Sequence, residues 1–311
     1  MRIVIAGGSG FLGRPLARQL AAEGHDVVIL TRGPDTKGRD SIGSGGRIRN
    51  VAWSPDGSAG SWAAELDGAG AVVNLAGASI AGKRWSDANK RLILASRLQA
   101  TRSVVTAIER AAIRPPVLVS GSGVGYYGQH GDEVVTEQSE AGADFLADVC
   151  VKWEAEAQRA SSDRTRVVRI RTGLVLEADG GAMAPMLTPF KLGVGGPIGS
   201  GRQYWPWIHR DDWVALVGVA IHSPNLAGPM NATAPEPVTN AAFARALGAA
   251  LHRPALLPMP AFAIRLLLGE MADGLILSGQ RAIPERAERA GFTFKYKRLD
   301  EALRAIFSAR V

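Results

Sequence analysis

The sequence predicts an α/β fold, a doubly wound parallel sheet with helices on both faces and a smaller C-terminal lobe. Three observations predict it. A glycine turn at residues 7–13 separates a short apolar run from an amphipathic segment. Strand-like and helix-like segments then alternate through the first half of the chain. Finally, 311 residues that are 46% hydrophobic can bury the core of one large unit and a smaller one.

Each element has its own signal. Ile3-Val4-Ile5-Ala6 predicts the first strand, and Leu12, Leu16 and Leu20 share one face of the first helix. Gly24 ends that helix, and residues 26–32 form the second strand. Strands follow over 48–53 and 71–76, then a long helix over 86–112 and a fifth strand over 116–120, behind Pro115-Pro116. A helix over 144–160 and a sixth strand over 166–176 complete the alternation. Beyond Leu176 the pattern is irregular. A glycine- and proline-rich stretch, 193–201, leads to a helix over 213–221 that Asp211 or Asp212 is expected to cap. Residues 254–260 set off a last module with an apolar helix, a short strand over 292–294 and a helix over 299–307. The expected division is a nucleotide-binding unit over 1–177 and a lobe over 178–311 that includes the module 253–307. Some lobe segments are expected to return to the sheet. The glycine- and serine-rich stretch 38–46 is the expected mobile loop.

Gly7, Gly10 and Gly13 recur at i, i+3 and i+6 between strand and helix. Gly7 suits a tight turn, Gly10 admits close approach of a ligand to the backbone, and Gly13 lets the helix pack near the strand. The free N–H groups and positive dipole end of the helix then face whatever lies over the turn, which suits a diphosphate. This is a dinucleotide-binding unit of Rossmann type, with Phe11 and Leu12 inside its glycine turn. An NAD-selective site usually carries a carboxylate at the end of the second strand. Here the position holds Arg32, with Lys37 and Arg39 close behind. A guanidinium forks onto a phosphate, so the expected cofactor is NADP, held through its 2′-phosphate. As a solvated loop charge, Arg32 would leave the site open to either cofactor.

Composition narrows the partners. The net charge is +7, but the basic residues are scattered without a long run or an aromatic stripe, so nucleic acid is not expected. Five unpaired histidines and the single Cys150 give no metal site. Glycines interrupt the apolar start, and Pro258, Pro260, Arg265, Glu270 and Asp273 interrupt the most apolar late stretch. Neither a secretory signal nor a membrane span is expected, which leaves a cytoplasmic protein with a small-molecule substrate and an oligomeric state left open.

Gly7-x-x-Gly10-x-x-Gly13, Asn74-Leu75-Ala76-Gly77 and Ser120-Gly121-Ser122 followed by Tyr126-Tyr127-Gly128 resemble an extended short-chain dehydrogenase/reductase. Further marks are Lys83-Arg84-Trp85, Ser96-Arg97, Trp153-Glu154, Arg171-Thr172-Gly173 and Gly201-Arg202-Gln203 with Trp207-Ile208-His209. These resemble the atypical epimerase family group of NAD(P)-dependent epimerase/dehydratase-like proteins. That group's C-terminal module of unknown function is matched by residues 258–270, Pro284, Gly291-Phe292 and Glu301-Ala302-Leu303. The resemblance implies that Leu75, Ala76, Gly77 and Ser120 line the cofactor cleft.

It also implies hydride transfer, for which the superfamily uses a serine and a tyrosine four residues before a lysine. Ser122 stands where the serine should, as a substrate-contacting hydroxyl or as a strand-end cap. The Tyr/Lys pair is missing. If Lys152 is the lysine, the tyrosine position holds Asp148; shifted by one, the pair becomes Val149 and Trp153. Tyr126 and Tyr127 are the nearest phenols, either as proton donors or as packing groups. Arg202, Trp205, Trp207 and His209 form the candidate substrate contact, since a dense aromatic turn can stack a ring and an arginine can fork onto an anion. His209 alone is read as a hydrogen-bonded structural residue or as an acid–base group. The resulting expectation is an NADP-dependent oxidoreductase or epimerase acting on a small polar or sugar-like carbonyl or alcohol. The alternative is a non-catalytic NADP(H)-binding sensor or regulatory protein.

Overall fold

The computed structural model of the chain describes residues 1–33, 41–42 and 46–308. In chain order its elements are β1 (Arg2–Ala6), α1 (Gly13–Ala22), β2 (Asp26–Thr31), β3 (Ser41–Ile42), β4 (Arg47–Ala52), β5 (Ala71–Asn74), α2 (Asp87–Arg110), β6 (Val117–Gly123), β7 (Val134–Val135), α3 (Phe145–Gln158), β8 (Arg166–Thr172) and β9 (Leu174–Leu176). There follow α4 (Met183–Lys191), β10 (Tyr204–Trp205), β11 (Trp207–His209), α5 (Arg210–His222), β12 (Gly228–Ala232), β13 (Val238–Thr239), α6 (Asn240–Ala250), α7 (Ala261–Leu268), α8 (Met271–Leu275), β14 (Arg281–Ala282), α9 (Glu285–Arg289) and α10 (Leu299–Ser308).

The main sheet runs β12-β8-β6-β5-β1-β2-β4-β3. All its pairings are parallel except that of β3 with β4. The central strands are apolar throughout because helices cover both faces. Ile3, Ile5, Val73 and Val119 face α1 and α5, whereas Val4, Val72 and Leu118 face α2 and α3. Strand order reverses between β1 and β5, so a crevice opens there at the carboxyl ends of the strands. The two longest helices that flank it are firmly started. The Ser86 hydroxyl accepts from Asn89 N at α2, and the Asp144 carboxylate from Ala147 N at α3.

Three expectations need correction. The sixth strand is not continuous: it breaks at Gly173, where a Cβ would lie 2.5 Å from the Pro206 oxygen, and β9 leaves the sheet to pair with β11. Residues 292–294 form no strand; Phe292 and Phe294 pack edge to face at 4.7 Å, with Phe294 buried against the sheet. Helix α5 starts earlier than expected, and its cap is His209, whose Nδ1 accepts from Asp211 N at 3.0 Å. The Asp212 carboxylate is engaged elsewhere, accepting from Lys295 N and Tyr296 N. Lys37, Arg39 and most of the stretch 38–46 lie outside the described residues.

Beyond residue 178 the chain also serves the sheet. β12 extends it past β8, and α5 packs beside α1. The remaining lobe has its own core of Trp205, Trp207, Phe243, Leu247, Leu303 and neighbours from α4, α6 and α10.

Candidate functional site: a cleft with a closed polar knot beside it

Gly7 takes φ +80°, and its carbonyl accepts from Gly10 N at 3.0 Å, closing the turn. A Cβ on Gly13 would sit 2.4 Å from the Gly7 oxygen and 2.5 Å from Gly8 Cα, so only glycine lets α1 start this close to the turn. Leu12 at the helix N-cap offers no side-chain acceptor; Arg14 N donates to the Gly10 oxygen and Pro15 has no N–H, so the Leu12 and Gly13 amides are the ones left for a ligand. Beside this turn is a cleft of about 350 Å³, lined by Gly7, Gly10, Arg32, Leu75, Ala76 and Gly77 among others. Arg32 is exposed at its rim. The Phe11 ring is sealed against Gly180 and Gly181, and the Leu12 side chain packs on the core, so from these two only backbone faces a ligand at the turn. The glycine cradle and the open helix end fit a dinucleotide diphosphate.

At the end of β6 the polar groups point into one another. Ser120 is buried, its hydroxyl donating weakly to the Gly121 carbonyl at 3.4 Å. Ser122 donates to Glu154 Oε1 at 2.7 Å. Arg171 forks onto the same carboxylate, Nε to Oε1 at 2.8 Å and Nη2 to Oε2 at 2.9 Å. Its Nη1 donates to the Tyr127 hydroxyl at 3.1 Å, which in turn donates to Asn231 Oδ1 at 2.6 Å. Asn231 N donates to Glu137 Oε1 at 2.9 Å. The Arg171 guanidinium lies 3.3 Å from the Tyr126 ring centroid. Burial pushes the Tyr127 phenol up to about 12, although Arg171 pulls against it. Burial likewise raises the Glu137 carboxyl. For Arg171 burial disfavours the charge, but the Glu154 hydrogen bonds and the neighbouring phenol outweigh it and raise its pKa.

The predicted residues therefore divide. Ser122, Tyr126 and Tyr127 are brought together, as members of this knot. Lys152 is not: its Nζ pairs with Asp148 at 2.8 Å on the exposed side of α3. The face of α3 toward Ser122 carries Glu154 and, one turn earlier, Cys150, a buried thiol whose pKa burial pushes up to about 11. Neither anticipated register puts a phenol there. Trp205, Trp207 and His209 are buried in the second lobe and present no ring to a ligand. Trp205 Nε1 donates to the Ile276 oxygen and Trp207 Nε1 to the Glu236 oxygen. Arg202 remains exposed. Sequence reasoning marked Arg97, Glu154 and Arg171 as family features without giving them roles, and it missed Glu137 and Asn231. For Arg97, Glu154 and Arg171 the available signal was a charge within a helix or strand; Glu137 lies in a turn and Asn231 carries no charge, so neither gave that signal.

Among the described residues no group of three or more His, Cys, Asp and Glu could hold a metal ion, and no helix is long and apolar enough to cross a membrane.

Fold and glycine turn together define a dinucleotide-binding α/β protein. The sequence model described as the NAD dependent epimerase/dehydratase family matches residues 3–232, and a domain of unknown function, DUF1731, matches residues 259–306. The chain belongs to the NAD dependent epimerase/dehydratase family. It is 42% identical to the chloroplastic SDR39U1 homolog of Arabidopsis thaliana, an epimerase family protein, over 98% of this chain and 86% of that protein. It is 38% identical to human epimerase family protein SDR39U1, over 98% and 99%. A crystal structure of human SDR39U1 (isoform 2) with NADPH superposes with a TM-score of 0.88 at 37% identity, covering 99% of each chain. MoeE5 in complex with UDP-glucose and NAD shares the fold at 18% identity, with a TM-score of 0.76 over 99% of this chain and 98% of that one.

Proposed function

We infer that the protein binds NADP(H) in the cleft beside the Gly7–Gly13 turn and uses it for hydride transfer on a small polar or sugar-like carbonyl or alcohol. The observation that carries the cofactor reading is Arg32, an exposed guanidinium at the rim of the cleft, at the place where NAD-selective sites put a carboxylate. The human relative solved with NADPH supports the same choice. Bound NADPH would supply the hydride. The turn amides would take the diphosphate, Arg32 the 2′-phosphate, and Leu75, Ala76 and Gly77 the wall opposite. Residues from 178 onward would form the substrate side. Replacing Arg32 with Asp removes a charge-assisted phosphate contact of about 1.5–3 kcal/mol, roughly 10- to 150-fold. Calorimetric titration should show NADPH affinity falling by that factor with NADH affinity little changed; equal weakening of both would overturn the NADP assignment.

One observation favours a second reading, a non-catalytic NADP(H) sensor. The Tyr127 phenol is buried and doubly bonded, and Lys152 is turned away, so the usual proton-donating pair has no counterpart among the residues placed here. Hydride transfer predicts NADPH consumption with some member of a carbonyl panel. Tight NADPH binding with no turnover on any of them would favour the sensor. The Arabidopsis relative is described as chloroplastic, so the cytoplasmic location we propose is checked by fractionation of the native host.

A further inference from the structure

Arg97 is a buried cation with half of its hydrogen-bonding edge unused. It lies on α2 with 7% of its surface exposed. Nη1 donates to the carbonyls of Ala78 and Ile93, both at 3.0 Å. Nε is buried without a partner, and Nη2 has no hydrogen-bond partner among the described residues. No carboxylate among the described residues stands within ion-pair distance of the guanidinium. A guanidinium stays charged under such conditions, even though burial pulls its pKa down. Holding that charge without a counter-ion costs several kcal/mol.

Its position is also specific. A Cβ on Gly77 would meet Arg97 Cγ at 3.1 Å and Cζ at 3.2 Å, so the glycine gives the arginine stem its room. Gly77 and Ala78 line the dinucleotide cleft. On the other side the guanidinium lies 5.1 Å from the Trp153 ring, which itself closes on Gly121 of β6. Arg97 therefore stands between the cleft wall and the end of β6, on the α3 side where Ser122 and Cys150 lie. The diphosphate already has the α1 amides, and the 2′-phosphate has Arg32. Nε is shut away from solvent, which leaves Nη2 as the one nitrogen that is both unbonded and within reach of a ligand, a charged donor suited to a carboxylate oxygen.

We propose that Nη2 of Arg97 donates to a carboxylate of the substrate, so that the protein takes carboxylate-bearing carbonyl or hydroxy compounds. This deepens the NADP(H) reading and rests on it for the position of the cofactor. Arg97 anchors the substrate, fixing which carbon is presented; it moves no proton.

The test uses the full chain, with and without saturating NADPH, titrated with pyruvate against acetone and with D-glucuronate against D-glucose. The expected result is that at least one acid binds the NADPH-saturated protein and its neutral partner does not. Arg97→Met should then weaken that acid roughly 10- to 150-fold while leaving NADPH affinity unchanged. Arg97→Lys should recover part of the loss. If Arg97→Met does not fold, Arg97→Gln carries the same test. The proposal is overturned if neither acid is preferred to its neutral partner, or if Arg97→Met or Arg97→Gln keeps the preference. It is overturned equally if NADPH affinity drops with the acid's, because Arg97 would then serve the cofactor's phosphates. Failure of the wild-type chain to bind NADPH defeats the cofactor reading separately. The acid titration without cofactor still decides the role of Arg97.

Discussion

Arg97 and Arg171 sit near the carboxyl end of the same sheet and are buried to nearly the same degree, yet they solve the problem of a buried charge in opposite ways. Arg171 is neutralised by the Glu154 fork and further bonded to Tyr127 and the Glu137 carbonyl. Arg97 has two carbonyls on Nη1, a buried Nε without a partner and an unbonded Nη2. A closed set of partners belongs to a fastener: it ties β8, α3 and β12 together and consumes Ser122 and Tyr127 in doing so. An unfilled set belongs to a binding group. The difference explains why the two tyrosines nearest the missing Tyr/Lys pair do not replace it: one hydroxyl and one ring face are already engaged by Arg171.

The contrast is broken most directly at Glu154. Glu154→Gln preserves shape but leaves Arg171 buried without a counter-charge, which should cost about 3–5 kcal/mol. Chemical denaturation would register this as a lower midpoint. A loss below about 1 kcal/mol would mean that the knot is not a fastener. The same measurement on Arg97→Met sharpens the comparison from the other side. Removing an unpartnered charge offsets the loss of two carbonyl contacts, so stability should stay within about 1 kcal/mol of wild type. A drop as large as that of Glu154→Gln would make Arg97 structural.

These two arginines also mark the limit of what the sequence discloses. The parallel α/β architecture was legible because its cues are local: Gly7, Gly10 and Gly13 between an apolar strand and an amphipathic helix, followed by regular alternation. The cleft was legible for the same reason. The polar knot was not, because it joins residues from β6, α3, β8 and β12 that only the sheet order brings together. Periodicity held part of the answer. Ile93, Arg97, Ala100, Thr101 and Val104 form one buried stripe on α2, and an arginine on such a stripe is a buried charge rather than a solvated one. The aromatic run 204–209 misled because the chemistry that lets tryptophan stack on a ligand, an apolar body with one N–H, serves a lobe core as well. Trp205 and Trp207 satisfy their N–H groups on backbone carbonyls and stay inside.

His209 shows a third fate for a buried base, which is to give up its charge. Burial is the main cause that lowers its pKa to about 4, with Lys295 and Arg210 pushing the same way and Asp211 opposing. As a neutral acceptor Nδ1 caps α5, and its ring lies 4.1 Å from Tyr296. An unfolded histidine titrates near 6.5, so the unfolded chain takes up a proton before the native one does. The stability that neutral His209 contributes is therefore complete above pH 6.5 and declines as pH falls toward 4. Asp212, whose carboxyl burial raises, acts in the opposite direction, and comparison with a variant at 209 alone cancels its effect. Asn at this position can still cap the helix. Melting temperatures from pH 7 to pH 4 should fall less steeply for His209→Asn than for wild type. Parallel curves would mean that His209 takes up its proton as readily in the native protein as in the unfolded chain, Asp211 offsetting the effect of burial.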